Sequence, residues 1–183
     1  MQLLETQRLI LRKWKVSDLL SLYRINSDPK VMEFFPNRLT REESDRFAKE
    51  IQYKIKENGW GFWAIEEKQS SQFIGFVGLN KPRIDLPFTP CIEIAWRLDS
   101  YYWNKGYATE AAKRSLEYAF TTLCINEVVS FTALINKRSE KVMQKIGMID
   151  TQNNFFHPKV PSNSLLSEHV LYKITKEQWY NNK

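Results

Sequence analysis

The sequence predicts a mixed α/β domain, and three observations carry that expectation. Alternating or β-branched segments of strand length recur from Arg8 to Ile174. An amphipathic helix with its apolar residues at Ala112, Leu116, Ala119, Phe120 and Leu123 lies between two of them. The element order (strand, two helices, several strands, helix, strand, helix, strand) belongs to the α/β class. At 183 residues, one domain spanning 1–183 is expected, large enough to bury a core without a disulfide or metal staple.

Each element has its own signal. Arg8 to Lys13 alternates Leu9 and Leu11 against Ile10 and Arg12 and reads as the first strand. Ser17 opens a short helix through Leu19, Leu20, Leu22 and Tyr23, with Val16 placed as a hydrophobic staple, and Asp28-Pro29 breaks the chain. Thr40 and Glu43 form a capping-box pattern ahead of Phe47, Ile51 and Ile55, and Asn58-Gly59 stops that helix. Gly61 to Glu67 and Gln72 to Asn80 read as a hairpin around Lys68 to Ser71. Past the loop of Pro82, Pro87 and Pro90, Cys91 to Leu98 is a strand with Ile92, Ile94, Trp96 and Leu98 on one face. Glu93, Ala95 and Arg97 share the other. The central helix follows a turn at Asn104 to Ala108, Val128 to Leu134 is a buried strand, and Ser139 starts a short helix stopped by Gly147. Strand-like pieces around Met148 to Thr151 and His169 to Ile174 complete the chain.

Composition narrows the function. The net charge of +6 suits an anionic partner, but the cations are interleaved with acids, as in Arg41-Glu42-Glu43, so the plain expectation is a mixed solvated surface. There is no helix-turn-helix or aromatic ribonucleoprotein pattern, so nucleic acid is not the expected partner. Cys91 and Cys124 form no CxxC pair, and His157 and His169 have no metal-ligand spacing, so no metal is expected. Met1 to Trp14 carries charges throughout and no apolar run approaches spanning length, which predicts a cytoplasmic protein without membrane association.

The segment Trp103-Asn104-Lys105-Gly106-Tyr107-Ala108-Thr109 leads from a strand into the amphipathic helix. Free backbone N–H groups at a helix start, with the helix dipole behind them, attract phosphate. Gly106 permits positive φ, Ala108 leaves the backbone uncovered, and Lys105 adds charge. Alone, this turn fits a plain turn as well as an anion site, and it is neither a P-loop nor a dinucleotide fingerprint. Further on, Asn136-Lys137-Arg138-Ser139 stands at the end of the next strand.

Together these segments resemble the GNAT superfamily of acetyl-coenzyme A-dependent N-acetyltransferases, and within it the ribosomal-protein N-terminal (alanine/serine) acetyltransferase branch. The family's Arg/Gln-x-x-Gly-x-Gly/Ala loop falls on Trp103-x-x-Gly106-x-Ala108, and its Asn-x-x-Ser on Asn136 to Ser139. Tyr107 to Ala111 and Lys145-Ile146-Gly147-Met148 also match, and the likeness spans roughly Leu3 to Ile174. The resemblance implies a central, mostly antiparallel twisted sheet flanked by helices, acetyl-coenzyme A as co-substrate, an amine acceptor, and a monomer or homodimer. It assigns the coenzyme to Trp96, Arg97 and Leu98 through their backbone, to Asn104, Lys105, Gly106, Tyr107, Ala108 and Thr109, and to Asn136, Ser139 and Lys141, with Arg138 beside them. Two departures stand out. Trp103 replaces the usual Arg or Gln, and Met143 occupies the place where many members carry an acidic Tyr. Ser139 is then the expected acid toward the thiolate, although a serine there also reads as an N-cap. Glu93 and His157 are the candidate bases, each also readable as a structural residue. The acceptor stays open between a protein N-terminal α-amine and a small amine such as a polyamine, amino acid or antibiotic, with a non-catalytic coenzyme-binding regulator as the remaining alternative.

Overall fold

The computed structural model describes residues 1–182. It contains the strands β1 (Leu4–Glu5), β2 (Leu9–Arg12), β3 (Phe62–Glu67), β4 (Phe73–Asn80), β5 (Glu93–Leu98), β6 (Glu127–Ala133), β7 (Ile149–Asp150), β8 (Phe155–Phe156) and β9 (Glu168–Thr175). The helices are α1 (Asp18–Ser27), α2 (Arg41–Asn58), α3 (Tyr107–Thr121), α4 (Lys137–Lys145) and α5 (Lys176–Asn181). The strands bond in the order β1-β2-β3-β4-β5-β6-β9-β7, with β8 beside β9. The β5–β6 pair is parallel, joined through α3, while β1–β2, β2–β3, β3–β4, β6–β9, β7–β9 and β8–β9 are antiparallel. The expected mixed, mostly antiparallel sheet with flanking helices is the one observed.

Two compact units divide the chain, and β5 and α3 contribute residues to both. The first unit holds Met1–Leu79 and Ala95–Ser115. Its core sets Leu9 and Leu11 of β2 with Trp63 and Ile65 of β3 and Ile74 of β4, all fully buried; each such side chain contributes about 1.5–3 kcal/mol of burial. Leu22 of α1, Ala48 of α2 and Phe76 of β4 pack together. Arg12 alternates away from Leu11 yet is buried as well, because it forms a two-point pair with Asp18 at 2.7 and 2.8 Å and a further one with Glu66 at 2.6 Å. The Thr40–Glu43 capping box forms in full, and Gly59 ends α2 at φ 78°.

The second unit holds Asn80–Ile94 and the chain from Leu116 onward. Its frame is the long ladder of β6 on β9, from Glu127↔Thr175 to Ala133↔His169. Trp179 of α5 stacks 5.5 Å from Phe120. Gly147 takes φ 85° after α4, as a stop signal requires.

Several expectations are corrected. Helix α4 begins at Lys137, not Ser139, because Asn136 is the N-cap and its Oδ1 accepts the Ser139 N–H at 3.2 Å. Val16 is 87% exposed, so it staples nothing, and the Ser17 hydroxyl makes no cap bond. Strands β1 and β8 and helix α5 lie outside the segments expected from the sequence.

Candidate active site

In the first unit, β5 ends at Leu98 and a single 3-10 turn, Ser100–Tyr102, leads into the segment before α3. Asn104 and Gly106 adopt φ of 61° and 81°, left-handed conformations that asparagine tolerates and glycine accepts freely. The N–H groups of Asn104 to Thr109 donate to no protein acceptor among the described residues; the first bond of the turn is Glu110 N–H to the Gly106 carbonyl at 3.0 Å. Six donors at the start of a 15-residue helix, with the helix dipole behind them, are an arrangement suited to a phosphate-bearing ligand.

Residues distant in sequence hold this turn. Arg8 Nη1 donates to the Lys105 carbonyl at 2.9 Å, and its guanidinium lies 4.5 Å from the Tyr107 ring centre. Glu110 answers from α3, accepting from the Thr6 hydroxyl at 2.6 Å, the Arg8 N–H at 2.9 Å and Arg8 Nε at 2.7 Å. Burial pushes the Glu110 carboxyl up, but these hydrogen bonds and the Arg8 charge outweigh it and hold the group below its ordinary range. Tyr107 is buried and donates to the Glu67 carboxylate, which also accepts from Ser70. Lys105 places its ammonium 4.4 Å from the Tyr101 ring centre, on the exposed side of the turn. The pairing of Arg8 with Glu110 has no signal in the sequence, because it spans 102 positions.

Trp103 explains its own departure from the family pattern. Its indole N–H donates to the Leu98 carbonyl at 3.0 Å and its ring packs against Ile25, Val31 and Met32. The indole of Trp103 is thus engaged with the protein itself. Gly75 of β4 acts beside it: a Cβ there would stand 2.2 Å from the Arg97 carbonyl oxygen, so only glycine lets β4 approach Arg97 and Leu98 this closely. Leu98 is buried, while Trp96 and Arg97 are partly so.

The other candidates belong to the second unit. Asn136 is 9% exposed and largely committed: Oδ1 caps α4 and Nδ2 donates to Thr132 Oγ1 at 2.9 Å, leaving one amide N–H. Ser139, half-buried in the first turn of α4, uses its N–H on that cap, whereas its hydroxyl bonds to no described residue. Met143 is buried core and Lys141 is exposed. Glu93 accepts from Asn80 Nδ2 at 3.0 Å at the start of β5.

His157 lies 4.9 Å, ring to ring, from His169, between Phe131 and Phe155. Its Nδ1 accepts the Lys159 N–H at 3.2 Å, so the neutral ring carries its proton on Nε2. Burial, then the Lys159 charge, lowers its pKa, and burial takes His169 to about 4. The Cys91 thiol is pushed up to about 11 by burial and then by Glu93 and Glu127, which argues against an acyl-cysteine step. A cavity of about 620 Å³ opens beside Phe88, Pro90, Cys91 and Val129, and neither Asn136 nor Ser139 lines it. Among the described residues no set of three His, Cys, Asp or Glu side chains is arranged to hold a metal ion, and no helix is long and apolar enough to cross a membrane.

The family model for the acetyltransferase (GNAT) domain matches residues 8–149. The chain is 29% identical over 174 residues to YnaD of Bacillus subtilis, described as an uncharacterized N-acetyltransferase, covering 95% of this chain and 97% of that one. A GNAT-family acetyltransferase from Bacillus anthracis superposes with a TM-score of 0.80 at 25% identity, covering 96% of this chain and 99% of the other. The ribosomal-protein-S5-alanine acetyltransferase of Vibrio fischeri shares the fold at a TM-score of 0.76 and 18% identity, over 98% and 99% of the two chains. GNAT acetyltransferases take acetyl-coenzyme A as co-substrate, and a backbone cradle before α3, braced from β2, is an arrangement suited to its pyrophosphate. The chain belongs to the GNAT acetyltransferase family and is an N-acetyltransferase.

Proposed function

We propose that this enzyme moves the acetyl group of acetyl-coenzyme A directly onto the α-amine of a protein or peptide N-terminus, within a ternary complex. The observation that carries the reading is the row of free N–H groups from Asn104 to Thr109, braced by Arg8 and Glu110. In this reading those groups take the pyrophosphate, Lys141 the 3′-phosphate, and the remaining Asn136 N–H a pantetheine amide. The backbone of Trp96, Arg97 and Leu98 pairs with the pantetheine arm, and an N–H there steadies the oxygen of the attacked carbonyl.

The amine nitrogen bonds to the thioester carbon, the carbon–sulfur bond breaks, and the departing thiolate takes a proton from the Ser139 hydroxyl, which solvent restores. That the hydroxyl bonds to none of the described residues supports this role. The proton lost by the amine passes through water to the Glu93 carboxylate, with His157 as the second candidate through Nδ1 once it gives up the Lys159 N–H. An α-amine with a pKa near 8 has a neutral fraction at physiological pH, so a weak base suffices.

The test is acetyl transfer to a panel of N-terminal peptides and small amines, with mass spectrometry locating the acetyl group and Ser139→Ala run alongside. Acetylation at peptide α-amines, with kcat down about 10²-fold in Ser139→Ala and an unchanged melting point, is expected. Turnover confined to small amines overturns the acceptor, and an unchanged kcat removes Ser139 as the acid.

A further inference from the structure

Among the described residues, Arg97 carries a charge without a counter-charge. From β5 its guanidinium extends among three phenylalanines, with ring centres at 4.2 Å (Phe35), 5.3 Å (Phe47) and 5.5 Å (Phe76). Its one hydrogen bond among the described residues runs from Nη1 to Asn26 Oδ1 at 2.6 Å, while Nε is fully enclosed and donates to nothing. Asn26 is itself fully buried, and its Nδ2 donates to Ser44 Oγ at 2.9 Å, which fixes Oδ1 toward the arginine. No carboxylate pairs with Arg97 among the described residues, and burial alone lowers its pKa, to about 10, so it stays cationic at neutral pH. Arg12 in the same unit shows the usual solution, with Asp18 and Glu66 both bonded to it.

Enclosing a cation without an anion is unfavourable, and aromatic faces offset only part of that. With Nε enclosed and one Nη1 N–H on Asn26, the remaining Nη1 and Nη2 N–H groups are left unused, and side by side they match a carboxylate at two points. Phe35, the ring nearest the guanidinium, is 38% exposed and Arg97 itself is only partly buried, so this end of the cluster borders solvent. We infer that Arg97, framed by Asn26 and Phe35, is a carboxylate-recognition subsite that selects acceptor amines bearing a carboxylate.

The inference rests on the acetyl-transfer reading above and narrows its acceptor class. Arg97 lies in β5 between Trp96 and Leu98, whose backbone is assigned there to the thioester arm. A carboxylate held by its side chain therefore ties the acceptor to the strand that serves the reaction. The neutral amide of the same acceptor would leave the cation unpaired.

The experiment uses matched acceptor pairs: glycine, β-alanine and 4-aminobutyrate with their carboxamides, and peptides with Asp or Glu against Asn or Gln at the second position. Wild type is expected to prefer the carboxylate member of its accepted pairs by about tenfold or more in kcat/KM. Arg97→Met and Arg97→Gln bring that ratio to within about twofold, and Arg97→Lys keeps part of it. A second readout needs no turnover: phenylacetate raises the melting point of wild type and not of Arg97→Met, while phenylacetamide raises neither.

A wild type that acetylates amines without regard to carboxylates overturns the subsite. So does a preference that survives in Arg97→Met, or a phenylacetate shift that persists undiminished in Arg97→Met. A wild type that acetylates no amine overturns the transfer reading instead, and the phenylacetate shift then judges the subsite by itself.

Discussion

Replacing Glu110 with alanine cuts the brace between β2 and the turn before α3, and its cost follows from the contacts. Glu110 Oε1 accepts from the Thr6 hydroxyl at 2.6 Å and the Arg8 N–H at 2.9 Å, and Oε2 pairs with Arg8 Nη2 at 2.6 Å. The partly enclosed Thr6 hydroxyl bond and the exposed Arg8 N–H bond are lost, at about 1 kcal/mol each. The Arg8 side chain is 42% exposed, so the ion pair adds only about 0.5–1 kcal/mol after solvent screening. The sum, about 2.5–3 kcal/mol, lowers the melting point of a chain this long by about 5–12 °C. Calorimetry at pH 7 reads it directly. Glu110→Gln keeps an acceptor for Thr6 and the Arg8 N–H and falls in between. Because Arg8 also holds the Lys105 carbonyl, the KM for acetyl-coenzyme A rises in the alanine variant. The carboxyl is held below its ordinary pKa, so its stabilisation is complete above the unfolded value near 4.5 and is lost as pH falls through the folded one. A Glu110→Ala protein that melts within about 2 °C of wild type refutes the brace.

Two further predictions concern buried charge. Asp18→Asn leaves the 7% exposed Arg12 with Glu66 alone and lowers stability by about 3 kcal/mol, read in urea unfolding; the double variant Arg12→Met/Asp18→Leu recovers most of it, and a single variant as stable as wild type would contradict the pairing. His169 has a folded pKa depressed to about 4, so the unfolded chain binds its proton first as pH falls. Stability therefore declines from about pH 6.5 toward 4 with a slope of up to about 1.4 kcal/mol per unit, and His169→Phe flattens that slope in unfolding measured across the window.

Local patterns were legible in the sequence and long-range ones were not. The Thr40–Glu43 box, the Gly59 stop and the β3–β4 hairpin are written in neighbouring residues, and they form as read. The turn from Asn104 to Thr109 was legible through Gly106 and the helix after it. The start of α4 was misread because Asn136 and Ser139 are both good cap residues three positions apart, and only the observed Asn136–Ser139 bond decides between them. Helix α5 carries a capping box at Thr175 and Gln178 that was there to be read, but six residues give too little periodicity to draw attention to it. Trp103 gave no local sign that its indole caps the Leu98 carbonyl. Phe35, Phe47 and Phe76 come from three separate segments, so their meeting around Arg97 is a property of the fold alone.

The central claim, that the backbone from Asn104 to Thr109 binds the coenzyme, is tested most directly by titrating coenzyme A into Gly106→Ala with Gly59→Ala as control. Both glycines have nearly the same positive φ, 81° and 78°, so alanine strains each backbone alike, by about 1–2 kcal/mol. Nothing lies within 4 Å of a Cβ at Gly59, whereas Gly106 sits inside the proposed cradle. The account predicts at least about tenfold weaker binding for Gly106→Ala and wild-type binding for Gly59→Ala. Equal affinity in both variants would contradict it.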